Sequence, residues 1–212
     1  PKGRLILPQV QTTRELLDKK CLVMSVTTDK LLPALSTLAK PPKLIITDSQ
    51  AFRTAFEKKP AESLLTSFSA LFAALKGDID YFLAGAHHLM DLAKKAKAGE
   101  KMELSVLIAE ACTHKPLDGD IGRIKIPRLL KKNLGDGVRT TVVSGKDFPE
   151  DLSPYDLVIH CGSCMFNRSY VLFRANEAKE AGVPMTNYGL AIAAMLGILD
   201  DISLPENPFS ER

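Results

Sequence analysis

The chain has 212 residues, of which 45% are hydrophobic and 25% charged, and a formal net charge of +3. These values exclude a disordered chain, and so balanced a charge gives no support to nucleic-acid binding. The longest apolar run, Tyr188 to Leu199, falls short of the ~20 residues of a membrane span, so no membrane association is expected.

Short apolar runs alternate with helical patterns from the start. Leu5-Ile6-Leu7 reads as a short strand, with Thr12 or Thr13 capping a helix to about Lys19. Cys21 to Val26 (CLVMSV) reads as a buried strand, which makes Cys21 a small core residue. Asp29 caps a helix toward Ala39, stopped by Pro41-Pro42, and Leu44–Thr47 is the next strand. Asp48 or Ser49 caps a helix toward Lys58. A strand stub at Leu64-Leu65 precedes a helix over Phe68–Leu75, ended by Gly77. The longest helical pattern runs from Asp78 to about Lys97, with Lys94, Lys95 and Lys97 in its last turn and Gly99 as a stop. It connects two halves.

In the second half, strands are predicted at Leu104–Ala109, Val138–Val143, Asp156–Ile159 and around Pro184–Thr186. Helices are predicted at Pro127–Asn133, Asn167–Ala181 and Tyr188–Leu199. The expected fold is α/β: two small domains, each a mainly parallel β-sheet flanked by helices.

Three of the four cysteines and two of the four histidines gather at two points, Cys112-Thr113-His114 and His160-Cys161-Gly162-Ser163-Cys164. Both directly follow predicted strands. In a parallel sheet every strand-to-helix loop leaves at the carboxyl edge, where open α/β sheets bind ligands. Ser144, Gly145, Asn187 and Tyr188 should line the same edge. A CxxC pair presents two sulfurs to one metal centre, and Cys112 would supply a third. The fourth position falls to His114, His160, a carboxylate such as Glu110, or an exogenous group. Two soft-metal outcomes fit: a Cys3His zinc site, or an iron–sulfur cluster with one iron not held by cysteine. A thioredoxin-like dithiol using Cys161 and Cys164 is the redox alternative, although it has no use for Cys112. His87 and His88, on the connector helix, have no partner at ligand spacing and read as surface or satisfied interface residues. Arg123, Lys125, Arg128, Lys131 and Lys132 form either a basic rim beside the Cys112 loop or a solvated helix face.

The CTH of Cys112–His114 together with the HCGSCM of His160–Met165 resembles the CxH…HCxxC signature of the HydF family of [FeFe]-hydrogenase maturation GTPases. GRLILPQVQT from Gly3, PPKLIITDSQ from Pro41, LTSFSALFA from Leu65, IAEACTHKPLDGDIGRIKIPR from Ile108, DFPEDLSPYDLVIHCGSCM from Asp147 and GVPMTNYG from Gly182 extend the likeness over nearly the whole chain. The resemblance implies a dimerisation domain at 1–77 and a cluster-binding domain at 78–212, with 78–99 as connector. It implies a [4Fe–4S] cluster held by Cys112, Cys161 and Cys164 with an exchangeable fourth site, near which Glu110, His114, His160, Asn187 and Tyr188 are candidate contacts. It further implies a homodimeric scaffold that takes a transient di-iron H-cluster precursor built by radical-SAM maturases and passes it to apo-[FeFe]-hydrogenase.

The family's GTPase part has no counterpart here. A GxxxxGK[ST] phosphate loop is absent, because the Gly145-Lys146 pair has Thr140 and Asp147 where the motif needs Gly and Ser or Thr. On this reading the chain is a scaffold and not an enzyme. Pro1, without an initiator Met and with no apolar export signal after Lys2-Gly3-Arg4, reads as the start of a piece of something longer, cytoplasmic and with reduced thiols.

Overall fold

A computed structural model describes residues 5–111 and 121–206. The predicted ligands Cys112 and His114 lie outside the described residues.

The first 77 residues build around a two-stranded parallel sheet. Strand β1 (Leu44–Thr47) pairs in register with β2 (Leu64–Ser67), from Leu44 opposite Leu64 to Thr47 opposite Ser67. Helices α1 (Leu7–Asp18), α2 (Leu31–Ser36), α3 (Phe52–Lys58) and α4 (Phe68–Lys76) flank it. The predicted boundaries of β1 and α4 hold because their punctuation is local: Ser67 accepts the Ala70 N–H as N-cap, and Gly77 follows the last turn.

Two predicted strands in this half fail, and neither Thr12, Thr13 nor Asp29 caps a helix, since α1 is capped at Ile6 and α2 at Lys30. Leu5-Ile6-Leu7 is no strand. Helix α1 begins at Leu7, because Pro8 suits the first helical turn and the Gln9 side chain accepts the Ile6 N–H at 2.9 Å. Cys21–Val26 is neither a strand nor buried: the segment has no regular structure and every residue in it is exposed, Leu22 completely. Cys21 is therefore a surface thiol and not a core residue. The apolar run has the composition of a buried strand, but a strand needs a hydrogen-bonding neighbour, and among the described residues β1 and β2 pair only with each other.

The second half is a four-stranded sheet, all parallel, in the order β4-β3-β5-β6. Its strands are β3 (Leu104–Glu110), β4 (Val138–Ser144), β5 (Leu157–His160) and β6 (Met185–Asn187). Central β3 carries a run, Val106 to Ala109, that is buried throughout, whereas edge strand β4 is only partly covered. Helix α5 (Ile79–Lys97) starts where predicted, with Asp78 accepting the Tyr81 N–H at 3.1 Å. It lies so close to β6 that a Cβ added at Gly85 would strike the Met185 backbone. Helices α6 (Ile126–Leu134) and α7 (Arg168–Glu180) complete the layers, and Asn167 caps α7 through the Tyr170 N–H at 3.0 Å.

Helix α8 (Tyr188–Leu196) explains the longest apolar run. Eight of its residues, Tyr188 to Met195, are buried, and it packs against α4, α5 and α6. A helix apolar on all sides belongs inside a core, and this one joins the two sheets into one contiguous hydrophobic cluster from Phe52 to Ile202. His87 and His88 are exposed on α5, as expected of surface residues, with His87 Nδ1 3.9 Å from Asp200.

Candidate metal centre at the carboxyl edge

The parallel register brings the strand ends together. Glu110 pairs with Ser144, Ala109 with His160, and His160 with Asn187, so the ends of β3, β4, β5 and β6 open on one edge. There the Ala111 N–H donates to Cys161 Sγ at 3.1 Å, and the Cys161 N–H donates to Ala109 O at 2.8 Å. The first of these bonds places the Cys161 sulfur one residue before Cys112. A backbone N–H aimed at sulfur stabilises thiolate over thiol.

The CxxC loop is held from below and from the side. Ser163, buried, adopts a left-handed φ of 46°, a conformation that costs a non-glycine residue of order 1 kcal/mol. Its hydroxyl lies 3.3 Å from His160 Nδ1, which also donates to Cys161 O at 2.8 Å. On the other ring nitrogen, Arg174 donates to His160 Nε2 at 3.0 Å. Both nitrogens of His160 are thus engaged with protein groups, and its role here is to hold the Cys161 backbone in place. Lys76, from the end of α4, donates to Ser163 O, Cys164 O and Phe166 O at 3.1, 2.9 and 2.8 Å. Burial pulls the Lys76 pKa down while the neighbouring Cys164 opposes the fall; Arg174 is likewise lowered by burial and raised by Tyr170 and Cys161. Each CxxC sulfur therefore has a cation in its field.

The other predicted contacts divide. Glu110 accepts from Ser144 Oγ at 2.9 Å and from Arg123 at 3.4 Å, and sits at the mouth of the edge. A Cβ on Gly122 would run into the Tyr188 hydroxyl and Glu110 Oε1, so both side chains reach the same spot beside Gly122. Asn187 is committed elsewhere: its Oδ1 caps α8 through the Leu190 N–H and its Nδ2 donates to Ser69 O, each at 2.9 Å. Of the five basic residues, Arg123 serves Glu110 and Ser144, Lys125 reaches Gln50 O at 3.4 Å, and Arg128, Lys131 and Lys132 are exposed on α6. Among the described residues, no group of three or more His, Cys, Asp or Glu side chains is close enough to hold a metal ion.

Residues 1–77 match the hydrogen maturase F dimerization domain, and residues 80–203 match the hydrogen maturase F tetramerization domain. The chain belongs to the hydrogen maturase F family. Membership gives it a part in hydrogenase maturation and in self-association, and both matched domains are assembly domains rather than catalytic ones. No curated protein matches the chain. Among the described residues no helix is long and apolar enough to cross a membrane.

The residues that reading the sequence missed are Lys76 and Arg174. Lys76 looks like any lysine favouring a helix C-terminus. Arg174 left a signal: it shares the buried stripe Val171, Arg174, Ala175, Ala178, where an arginine needs partners.

His160 makes stability depend on pH. Burial pushes its pKa down to about 4; the Cys161 carbonyl bond opposes that fall and the Arg174 charge adds to it. The unfolded histidine binds its proton near pH 6.5, so between pH 6.5 and 4 the unfolded chain holds more protons than the folded one. Stability contributed by neutral His160 is full above pH 6.5 and is lost as pH falls to 4, about 3 kcal/mol in all. Urea midpoints of cluster-free protein between pH 7 and 4 should show this slope, and His160→Gln should flatten it. An equal slope in the variant would refute the assignment.

Proposed function

We propose that this edge holds a [4Fe–4S] cluster through Cys112, Cys161 and Cys164, and that the chain is a scaffold carrying a di-iron H-cluster precursor from radical-SAM maturases to apo-[FeFe]-hydrogenase. The observation that carries the reading is the Ala111 N–H to Cys161 Sγ bond, which sets one thiolate beside the position from which Cys112 departs. The donor chemistry fits: soft thiolates, a backbone N–H on sulfur and nearby cations favour a cluster of net negative charge. Glu110, His114 and Tyr188 are the candidate contacts for the fourth, exchangeable position. His160 and Asn187 support the loop and the helix behind it. A thiolate-held cluster needs reduced cysteines, which suits a cytoplasmic location.

In this reading residues 78–212 form the cluster unit, entered through the connector at 78–99, and residues 1–77 form the dimerising unit. The surface that would meet a second copy is the exposed apolar stretch of Val10, Leu17, Leu22, Met24 and Leu32. It lies wholly within the match to the dimerization domain. So many large apolar side chains exposed within one short stretch of sequence suit a face that a second copy covers.

Anaerobic reconstitution with iron and sulfide should load about four irons per chain and produce a thiolate-to-iron charge-transfer band. Serine at Cys112, Cys161 or Cys164 should abolish it, while Cys21→Ser should leave it intact. A full cluster in Cys112→Ser would sink the ligand assignment. One tightly held zinc in place of iron would favour the structural module, and metal-free disulfide reduction indifferent to Cys112 would favour the dithiol enzyme.

A further inference from the structure

A lysine ammonium has three N–H bonds, and a carbonyl oxygen is a good acceptor for each. In Lys76 each is spent on the same short loop, on the carbonyls of Ser163, Cys164 and Phe166. The loop is bent to suit: Ser163 is left-handed, and Phe166 N–H returns to Ser163 O at 3.0 Å, closing a turn around the ammonium. The lysine stem is fixed in turn, because Nζ lies 4.9 Å from the Phe72 ring centroid one helical turn back. Lys76 is also the last residue of α4, within the stretch matched as the dimerization domain, and the loop it grips lies 87 to 90 positions further along the chain.

We propose that Lys76 is a positioning residue for the metal centre: a single charge, supplied by the dimerising unit, that shapes the CxxC loop and tunes the cluster held there. The inference rests on the cluster reading above and concerns regulation of that site. Carbonyl oxygens that turn inward to Lys76 fix the backbone on both sides of Cys164. A fixed positive charge beside one ligating sulfur stabilises the more reduced cluster, so it raises the reduction potential. Since α4 belongs to the dimerising half, any shift of that half against the four-stranded sheet moves the charge relative to Cys164. Assembly and cluster properties are thereby connected through one side chain.

The test compares Lys76→Met, which keeps the stem over Phe72, with Lys76→Arg, which keeps the charge. In reconstituted protein the midpoint potential of Lys76→Met should lie below that of the parent chain, with Lys76→Arg restoring most of the difference. An identical potential in Lys76→Met overturns the proposal, and so does an equal fall in both variants, since that would report loop geometry without charge. If the parent chain takes up no iron, the cluster reading has failed, and Lys76 is then judged on cluster-free protein. In a background where Cys164 is the sole cysteine, alkylation by iodoacetamide at fixed pH should be slowed about threefold or more by Lys76→Met and little by Lys76→Arg. Equal rates in all three would overturn the proposal.

Discussion

Replacing Arg174 by alanine is expected to destabilise the folded chain by about 3–5 kcal/mol, among the largest effects available to a single side chain here. Arg174 is 2% exposed, yet it satisfies groups from three elements. It donates to His160 Nε2 at 3.0 Å at the end of β5, to Gly145 O after β4, and to the Tyr170 hydroxyl at 2.5 Å on α7. Its guanidinium also lies 4.6 Å from the ring centroids of both Phe148 and Tyr170. Alanine leaves His160 Nε2 without its donor where water enters poorly and the Gly145 carbonyl with the Tyr170 hydroxyl alone, and two cation–π contacts vanish as well. For a chain of this length the loss corresponds to a melting point lower by roughly 10 °C. Lysine should rescue little, because one point charge cannot replace a planar fork that serves three acceptors at once. Thermal and urea unfolding decide the matter; a loss below about 1 kcal/mol would mean that the network is worth far less than its burial implies.

The second large effect is on assembly. The double variant Leu22→Asp, Met24→Asp is expected to weaken self-association by about 100-fold or more, because burying an unpaired carboxylate costs well over the ~1.4 kcal/mol that makes a factor of ten. In the separate chain Leu22 is fully exposed and Met24 is 53% exposed, so neither change touches the core. Folding stability should therefore stay within about 0.5 kcal/mol of the parent. Light scattering should show the mass halved, with α5 and the four-stranded sheet still able to support whatever contact the tetramerization domain makes. An unchanged mass would place the dimer contact elsewhere on the 1–77 unit.

These two residues also mark where reading the sequence stopped short. Most elements were readable because their signals are local. Asn167 three residues before Tyr170, Asp78 three before Tyr81, and Gly77 after α4 each announce a helix end within one turn. The four-stranded sheet followed from alternation, and with it the meeting of strand ends that brings Cys161 to Ala111, 50 positions away. Cys21–Val26 defeated the same logic. Its residues resemble those of β5, which is buried at every position, and nothing within six residues tells the two apart.

What the sequence determined by itself was the kind and order of most elements, the parallel arrangement they require, and the edge on which Cys161 lies. Periodicity and caps are properties of a few neighbouring residues. Only the tertiary structure decided which apolar runs are buried, that His160 faces inward to Arg174, and that Lys76 closes on the CxxC loop. Burial and hydrogen-bond partnership belong to pairs of segments, and the deciding partners here stand up to 90 positions apart.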